Sequence, residues 1–257
     1  MTPNNANFSI KLAKSKAELH AAQRLRYRVF VTEFGGATDP DADVLGVERD
    51  AYDADYDHLI LCDNNLPEAD NIVGAYRLLR SDMAVCGKGY YSATEFCLDK
   101  IVTCGRNSLE LGRSCVDARY RNGIAMHLLW QGLAEYVSDH EIEILFGVAS
   151  FHGTDPEIIS HGLSFLHHNH LAQDDVCVPA YGANAISMDV LPESETDKVV
   201  AMQQIPPLIK SYLRLGGAVG EGAFVDHEFN TIDVCLVMDT LRMSQKYKDF
   251  YARSSAA

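Results

Sequence analysis

Apolar side chains recur along the chain in two patterns, one typical of strands and the other of helices. Alternation of apolar and polar residues, or a short unbroken apolar run, predicts a β-strand. The runs at residues 57–63 and 71–80 are joined by a polar turn, which predicts a β-hairpin. Residues 81–106 fit neither pattern and are expected to be irregular. The segments with a strand pattern are residues 8–13, 57–63, 71–80, 108–116, 142–150, 184–191 and 223–239.

Helical periodicity marks several segments between these strands. In residues 15–34, apolar side chains recur at spacings of three and four, Ser15 and Glu18 are placed as a capping box, and Gly35 follows as a helix stop. The other segments with this periodicity are residues 122–140, 154–166 and 206–217. The order of elements, with no internal repeat or linker, predicts one α/β (α+β) domain, residues 1–257, with a mixed β-sheet and helices on both faces.

The composition is that of an ordinary soluble globular protein. The chain has 257 residues, of which 47% are hydrophobic, and no apolar run approaches the roughly 20 residues that a membrane-spanning helix needs. Residues 1–12 lack a basic stretch followed by an apolar one, so we expect no signal peptide and a cytoplasmic protein. Scattered cysteines without a Cys-x-x-Cys pair predict reduced thiols, with neither disulfides nor a zinc site.

Charge is unevenly distributed along the chain. The formal net charge of −14 argues against a nucleic-acid binder, because neutralising phosphates requires an excess of Lys and Arg. Fifteen of the 22 basic residues lie at or before Arg121, and none lies between Arg121 and Lys198. We therefore expect any anionic partner to bind the amino-terminal half.

Residues 47–58, VERDAYDADYDH, concentrate carboxylates around one base, Arg49. One interpretation is a solvated acidic loop, since Asp-rich segments favour turns. The other is a carboxylate cluster, formed by Glu48, Asp50 and Asp53, that holds or deprotonates an amine.

Residues 111–125, LGRSCVDARYRNGIA, join a strand to a helix through an arginine-rich turn. The N-terminus of that helix offers free backbone N–H groups and a partial positive charge, and Arg119 and Arg121 add two full charges. A phosphate is a natural ligand for this arrangement. Alternatively, the turn needs its Asn and Gly for geometry alone, and its arginines are ordinary surface residues.

This strand, turn and helix resemble the donor-binding segment of the GNAT superfamily of N-acyltransferases. There the pantetheine arm of the thioester lies beside the strand, where the central strands splay apart, and its phosphate meets the turn. The usual turn, Gln/Arg-x-x-Gly-x-Gly/Ala, is matched at Gly123 and Ala125 but not at Tyr120, which leaves room for a single phosphate. The donor site that the resemblance implies consists of Ser114, Cys115, Val116, Arg119, Arg121, Asn122, Gly123 and Ala125.

Two more specific resemblances cover longer parts of the chain. The order of charged residues seen in acyl-homoserine-lactone synthases, which are GNAT relatives, is present as Arg26, Phe30, Glu48-x-Asp50-x-x-Asp53, Arg77 and Glu110-x-x-Arg113. The phrases shared with the L-ornithine N-alpha-acyltransferases of bacterial ornithine-lipid synthesis are LRYRVFVTEF, YYSATEFCLD, ELGRSCVDARYRNG, LLWQGLAEYV, LFGVASFHGTDP and PPLIKSYLRLGGAVGEGAFVDHEFNTIDVCLVMD. These phrases span most of the chain, including a family-specific C-terminal half at about residues 170–257.

The second family implies amide formation without a separate cofactor. A 3-hydroxyacyl group, carried on the phosphopantetheine of acyl carrier protein, would be transferred to the α-amine of ornithine to give a lyso-ornithine lipid. In this superfamily the amine usually attacks the thioester directly, so Cys115 is not expected to be a nucleophile. The amine must lose a proton before it attacks, and Glu48 and Glu110 are the candidates for the base, with Arg113 as the third catalytic residue.

The chemistry of the charged residues suggests an acceptor site for ornithine. Asp50 and Asp53 could bind the side-chain ammonium, and Arg26 or Arg77 could bind the carboxylate, with Phe30 beside them. The alternative is structural pairing, Glu48 with Arg26 and Glu110 with Arg77. Glutamine as the acceptor, a lactone-synthase-like enzyme and a non-catalytic lipid-binding protein stay open, although the acidic cluster favours a cationic acceptor.

Three further segments have ordinary explanations. The histidines at positions 161, 167, 168 and 170 match no usual zinc spacing, so we expect no metal site. Residues 206–217 are amphipathic and could rest transiently on the inner face of a membrane, although core packing explains them more simply. Residues 226–231 form a polar hairpin turn or line the acceptor pocket through Asp226, His227 and Asn230.

Overall fold

The computed structural model describes residues 7–121 and 123–242, which form two compact units. The first unit contains the described residues up to Leu79 together with Leu111–Glu141. The second contains Arg80–Glu110 and the described residues from Ile142 onward. The predicted α/β class is confirmed, while the single domain stays a prediction.

Antiparallel strands build the sheet of the first unit. Strand β1 (Phe8–Leu12) pairs with β2 (Asp57–Asp63), and β2 pairs with β3 (Ile72–Arg80) in the predicted hairpin. Strand β4 (Ser108–Val116) follows β3 in the strand order, and its residues from Leu111 onward belong to this unit. These four strands agree with the bounds that the hydrophobic pattern predicts to within one residue.

Helices pack on both faces of this sheet, as predicted. Helix α1 (Lys16–Arg26) begins at the predicted capping box, and its Leu25 packs in a core cluster with Ile60 of β2. Helix α5 (Ile124–Asp139) covers the other face, where Gly132 lies so close to β1 that a Cβ would clash with Ile10. The absence of a side chain at Gly132 therefore allows this close helix–strand contact.

Strands of the second unit are mostly antiparallel. Strand β5 (Ile144–His152) pairs along its length with β9 (Thr231–Asp239), and β9 also pairs with β8 (Ala223–Asp226). Parallel pairing of β4 with β5 runs from Ser108↔Ile144 to Glu110↔Phe146. The mixed sheet is therefore confirmed, and the splay of its central strands stays a prediction.

Short elements complete the described chain. The remaining helices and strands are α2 (Pro40–Leu45), α3 (Ser81–Ala84), α4 (Asp99–Thr103), α6 (Ser160–His170), α7 (Lys198–Gln204), α8 (Pro207–Arg214), β6 (Ala185–Ile186) and β7 (Ala218–Val219). Helices α3 and α4 lie in residues 81–106, which the sequence predicts to be irregular. The prediction of a strand at residues 184–191 is wrong except at Ala185–Ile186. None of the described helices is both long and apolar enough to cross a bilayer.

Candidate active site

A cluster of alternating charges lies within the first unit and is largely buried. Helix α1, the loop before β2, and strands β3 and β4 each contribute to it. The six side chains, called the arginine–carboxylate cluster below, are Arg26, Glu48, Asp50, Asp53, Arg77 and Arg113. Three arginines against three carboxylates make the cluster formally neutral, so burial of each charge is compensated by a neighbour.

Arg26 anchors the cluster from the last turn of α1. Its Nε donates to Oε2 of Glu48, and its Nη1 donates to Oδ1 of Asp53 at 2.7 Å. Gln23, one helical turn earlier, donates from Nε2 to the other oxygen of Asp53 at 2.8 Å. The Nη2 of Arg26 is buried without a hydrogen-bond partner among the described residues, a donor suited to a carboxylate. The predicted role of Arg26 in acceptor binding stays a prediction.

Arg77 binds both aspartates from strand β3. Its Nη1 donates to the two carboxylate oxygens of Asp50 at 2.6 Å each and to Oδ1 of Asp53 at 2.9 Å. The guanidinium carbon lies 4.5 Å from the centroid of the Tyr56 ring, within the range of a cation–π contact. Because Asp50 and Asp53 accept from arginines, their negative charge is already compensated within the protein.

Arg113 enters the cluster from an unusual backbone conformation. Its φ is +48°, in the left-handed region that residues other than Gly seldom adopt in a strand. From there Nε donates to Oε1 of Glu48 and Nη2 donates to Oδ2 of Asp50, each at 3.2 Å. The strained residue thus bridges two carboxylates, and strain of this kind often persists at functional sites.

Glu48 and Asp53 are ionised by their surroundings. Burial works to raise the pKa of Glu48, but Arg113 and Arg26 outweigh it and hold the pKa below its usual range. Burial likewise opposes ionisation of Asp53, yet Arg26 and Arg77 lower its pKa to about 2. Glu48 is 2% exposed and both of its oxygens accept from arginines, so the predicted structural pairing of Glu48 with Arg26 is present.

Glu110, the second candidate base, lies in the second unit. It is 1% exposed, and its two oxygens accept from the backbone N–H groups of Tyr91 and Ser92 at 3.0 and 2.6 Å. These contacts fix the orientation of the carboxylate. Its catalytic role, like those of Glu48 and Arg113, stays a prediction.

Arginines of the predicted donor turn are engaged by acidic neighbours in the first unit. Arg119 makes two 2.9 Å hydrogen bonds to Asp117 through Nε and Nη2. Arg121 pairs with Glu33 and donates from Nε to the backbone oxygen of Val116 at 2.9 Å. The turn therefore carries less net positive charge than the sequence suggests.

The rest of the donor segment is buried at the end of β4 and exposed in the turn that follows. Cys115 and Ala125 are buried, and burial raises the pKa of the Cys115 thiol to about 12. Ser114 has a buried hydroxyl without a hydrogen-bond partner among the described residues, and Gly123 caps α5 with φ +99°. Asn122 lies outside the described residues. The donor-binding role of the segment stays a prediction.

An open pocket lies next to this turn within the first unit. Its volume is about 630 Å³, and its lining residues are Arg28, Val29, Glu33, Leu66, Pro67, Asp70, Asp117, Ala118 and Arg119. Val29 belongs to a π-helix, Tyr27–Glu33, that continues α1 and carries Phe30, which packs against the core cluster. Insertions of this kind are frequent at functional sites.

Two residues that contact the cluster are not predicted from the sequence. Gln23 lies one turn before Arg26 on α1, and that spacing on a helix face is the signal that could have identified it. His58 lies at the start of β2, is buried, and donates from Nε2 to the backbone oxygen of Asp53 at 2.9 Å. Burial lowers the pKa of His58, which favours its neutral form. No local pattern distinguishes His58 from other core residues.

Histidines of α6 make local contacts. His168 donates from Nε2 to the backbone oxygen of Leu191 at 2.9 Å, and His161 accepts from the backbone N–H of Asp197. His167 and His168 lie 4.0 and 3.4 Å from the carboxylate of Asp189. These side chains are half-buried, and their contacts are with the later segment at residues 189–197.

The fold corresponds to a known class of protein. A model of the acetyltransferase (GNAT) domain matches residues 25–131, a span that includes the whole arginine–carboxylate cluster. Among solved structures, the N-acyl amino acid synthase FeeM from uncultured soil microbes has a similar fold, with a TM-score of 0.51, 10% identity, and coverage of 97% of this chain and 98% of that one. Residues 25–131 therefore match a GNAT-type domain, and the chain has a fold similar to that of an N-acyl amino acid synthase.

Two curated proteins are similar over nearly their full length. The L-ornithine N(alpha)-acyltransferase of Rhodobacter capsulatus is 49% identical over 96% of this chain and 95% of its own length. The L-ornithine N(alpha)-acyltransferase of Brucella abortus is 41% identical over 95% of this chain and 89% of its own length. The chain belongs to the L-ornithine N(alpha)-acyltransferase family.

Proposed function

We propose that this enzyme transfers a 3-hydroxy fatty acyl group from acyl carrier protein to the α-amine of L-ornithine and so makes a lyso-ornithine lipid. The observation that carries the proposal is the 49% identity to a protein named L-ornithine N(alpha)-acyltransferase over 96% of the chain. Identity at this level over both chains supports a shared acceptor. The acyl group and its carrier rest on the resemblance of the sequence phrases.

The proposed reaction is direct transfer. The neutral α-amine attacks the thioester carbonyl carbon, the C–N bond forms, and the C–S bond breaks as the pantetheine thiolate leaves. The proton lost by the amine neutralises that thiolate, directly or through a carboxylate. The buried Cys115, with a pKa of about 12, supports direct transfer because hardly any nucleophilic thiolate would be present at neutral pH.

A carboxylate is the proposed relay for that proton, and Glu48 and Glu110 are its two candidates. The contacts of Glu48 support a positioning role, because both oxygens are bound by arginines that favour its ionised form. Arg113 would then act through Glu48 and Asp50 to hold the loop before β2 in place. Removal of a positioning residue lowers turnover, but the pH profile of the variant keeps the shape of the wild-type profile.

Exposed arginines of the first unit are the proposed contacts for the acidic carrier protein. The side chains of Arg28 and Arg119 are 44% and 66% exposed, and both line the open pocket. Charges at such positions accelerate association with an acidic partner, and salt weakens the effect. The donor would be the carrier's phosphopantetheine thioester, with no additional cofactor.

A thiol-release assay tests the proposal. The purified enzyme is incubated with 3-hydroxyacyl carrier protein and one amino acid at a time, and free carrier thiol is measured. We expect thiol release with ornithine and little with glutamine or homoserine derivatives. Release with glutamine alone would assign a different acceptor, and no release with any amine would refute acyl transfer.

A further inference from the structure

Asp117 contacts both of the exposed arginines that line the open pocket of the first unit. It directly follows β4, and its side chain is 9% exposed. Its carboxylate accepts from Nε and Nη2 of Arg119 at 2.9 Å each. Its Oδ2 also lies 3.5 Å from Nη2 of Arg28, which reaches it from the π-helix Tyr27–Glu33. One largely buried carboxylate therefore contacts two guanidinium groups from separate segments of the first unit.

The backbone around Asp117 fixes the position of its carboxylate. The N–H of Asp117 donates to the backbone oxygen of Val73 on β3 at 2.9 Å, which attaches the residue to the sheet. Its Oδ1 accepts from the backbone N–H of Arg119 at 3.1 Å, so the side chain caps the short turn that follows. Hydrogen bonds from Arg119 lower the pKa of Asp117 although burial opposes them, and the carboxylate is therefore ionised near neutral pH.

Each arginine keeps a part that a partner can reach. A guanidinium has five N–H donors. Two of those of Arg119 point to Asp117, so the other three remain without a hydrogen bond among the described residues. The side chains of Arg119 and Arg28 are 66% and 44% exposed. A side chain that is already held in place loses less freedom when it binds a partner, which strengthens binding without any new contact.

Net charge alone does not attract an acidic protein to this pocket. Its two lining arginines face three lining acids, which are Glu33, Asp70 and Asp117. Asp117 has two opposite effects on the arginines: it neutralises part of their charge, and it holds them in one orientation. Its burial favours orientation as the larger effect, because the carboxylate is largely shielded from a partner that the exposed guanidinium groups can touch.

We propose that Asp117 is a positioning residue for the donor, which holds Arg28 and Arg119 in the orientation that binds anionic groups of the acyl carrier protein. This inference rests on the proposed function, because it takes the carrier protein as the donor. It goes further in assigning a favourable role to an acid that, by charge alone, would repel the carrier. Charge-assisted hydrogen bonds from oriented guanidinium groups then give the contact its specificity.

Donor kinetics of Asp117→Asn test the inference, because the two effects of Asp117 predict opposite signs. Asn keeps an oxygen that can cap the turn, whereas its NH₂ group cannot accept from the arginines. We expect KM for the 3-hydroxyacyl carrier protein to rise about fivefold, with kcat and KM for ornithine unchanged. If neutralisation were the larger effect, the same change would lower KM for this acidic donor.

Glu68→Gln is the matched control. It removes the same charge from an exposed acid of the first unit that does not line the pocket, so KM for the donor should equal that of wild type. Circular dichroism verifies folding. Asp117→Ser, which keeps a capping hydroxyl without a carboxylate, remains informative if Asp117→Asn does not fold. A KM for the donor that is unchanged or lower in the folded Asp117 variant would overturn the inference.

A mutant cycle shows whether Asp117 acts through the arginines. In an enzyme that carries Arg28→Gln and Arg119→Gln, Asp117→Asn should raise KM for the donor no further. A full additional rise would mean that Asp117 acts independently of the arginines, and would overturn the inference.

Failure of the inference is distinguishable from failure of the proposed function. A wild-type enzyme that acylates ornithine from the carrier protein, together with an unaffected Asp117→Asn, would refute the positioning role alone. A wild-type enzyme that acylates no amine from the carrier protein would refute the proposed function itself.

Discussion

Replacing Glu48 by Gln removes one charge from the arginine–carboxylate cluster while keeping the side-chain shape. Glu48 is 2% exposed and accepts from Arg26 and Arg113. The change leaves the buried Arg26 with Asp53, and the partly buried Arg113 with Asp50, as its remaining charged partner in the cluster. Breaking a buried pair on one side costs about 3–5 kcal/mol, and because Gln can still accept one hydrogen bond, we expect about 3 kcal/mol.

Urea unfolding followed by circular dichroism measures this loss. For a protein of this size, about 3 kcal/mol also corresponds to a fall in Tm of about 6–12 °C. The matched control is Asp82→Asn, which breaks an ion pair with Arg80 whose aspartate side chain is 70% exposed, and which should cost less than about 1 kcal/mol. If Glu48→Gln unfolds within about 0.5 kcal/mol of wild type, the buried pairs do not stabilise the site as argued.

Four further predictions concern the cluster and the donor segment. Stability should fall as the pH drops from 3.8 towards 2, because Asp53, with its pKa lowered to about 2, contributes about 2 kcal/mol only while it is ionised. In urea unfolding, the difference in free energy of unfolding between wild type and Asp53→Asn should therefore close over that range. A constant difference would contradict the prediction. Cys115→Ala should keep at least a tenth of wild-type kcat, and a larger loss would revive an acyl-enzyme. Arg113→Lys should lower kcat at least tenfold, since an ammonium cannot bridge Glu48 and Asp50 as the guanidinium does; turnover near wild type would remove that bridge from the mechanism. Arg121→Glu should raise KM for the carrier-protein donor and weaken its salt dependence, whereas an unchanged KM would place the docking face elsewhere.

The pH profile of Glu48→Gln separates base from positioning residue. The pKa of Glu48 lies below its usual range, so the residue stays ionised near neutral pH. We therefore expect a lower kcat with a profile parallel to that of wild type. Activity lost mainly at the acidic end would instead identify Glu48 as the base.

Local signals in the sequence predicted the elements that depend on local physics. The capping box of Ser15 and Glu18 begins α1 where expected, because both hydrogen bonds lie within one turn. The prediction of a strand at residues 184–191 is wrong because contacts with a distant part of the chain determine the conformation there. The backbone N–H groups of Val190 and Leu191 bind the hydroxyl of Ser164 at 3.3 and 2.9 Å, outside any strand ladder.

Charge pairing in the site depended on distant residues and could be predicted only in part. The pairing of Glu48 with Arg26 was anticipated as an alternative, whereas the bridge made by Arg113 requires a positive φ that no sequence pattern reveals. The compensation of Arg121 by Glu33 joins residues 88 positions apart. Glu95 likewise lies close to Asp226 and Asp233 of a hairpin more than a hundred residues later, so only the three-dimensional arrangement shows this proximity.

The measurement that tests the central claim most directly is mass spectrometry of lipids from a host that lacks aminolipids, with and without expression of this chain. We predict a new lipid that consists of one 3-hydroxy fatty acyl group in amide linkage to the α-nitrogen of ornithine. Fragmentation that places the acyl group on glutamine or on the side-chain nitrogen of ornithine would contradict the account, as would an unchanged lipid profile from a host that contains the folded enzyme.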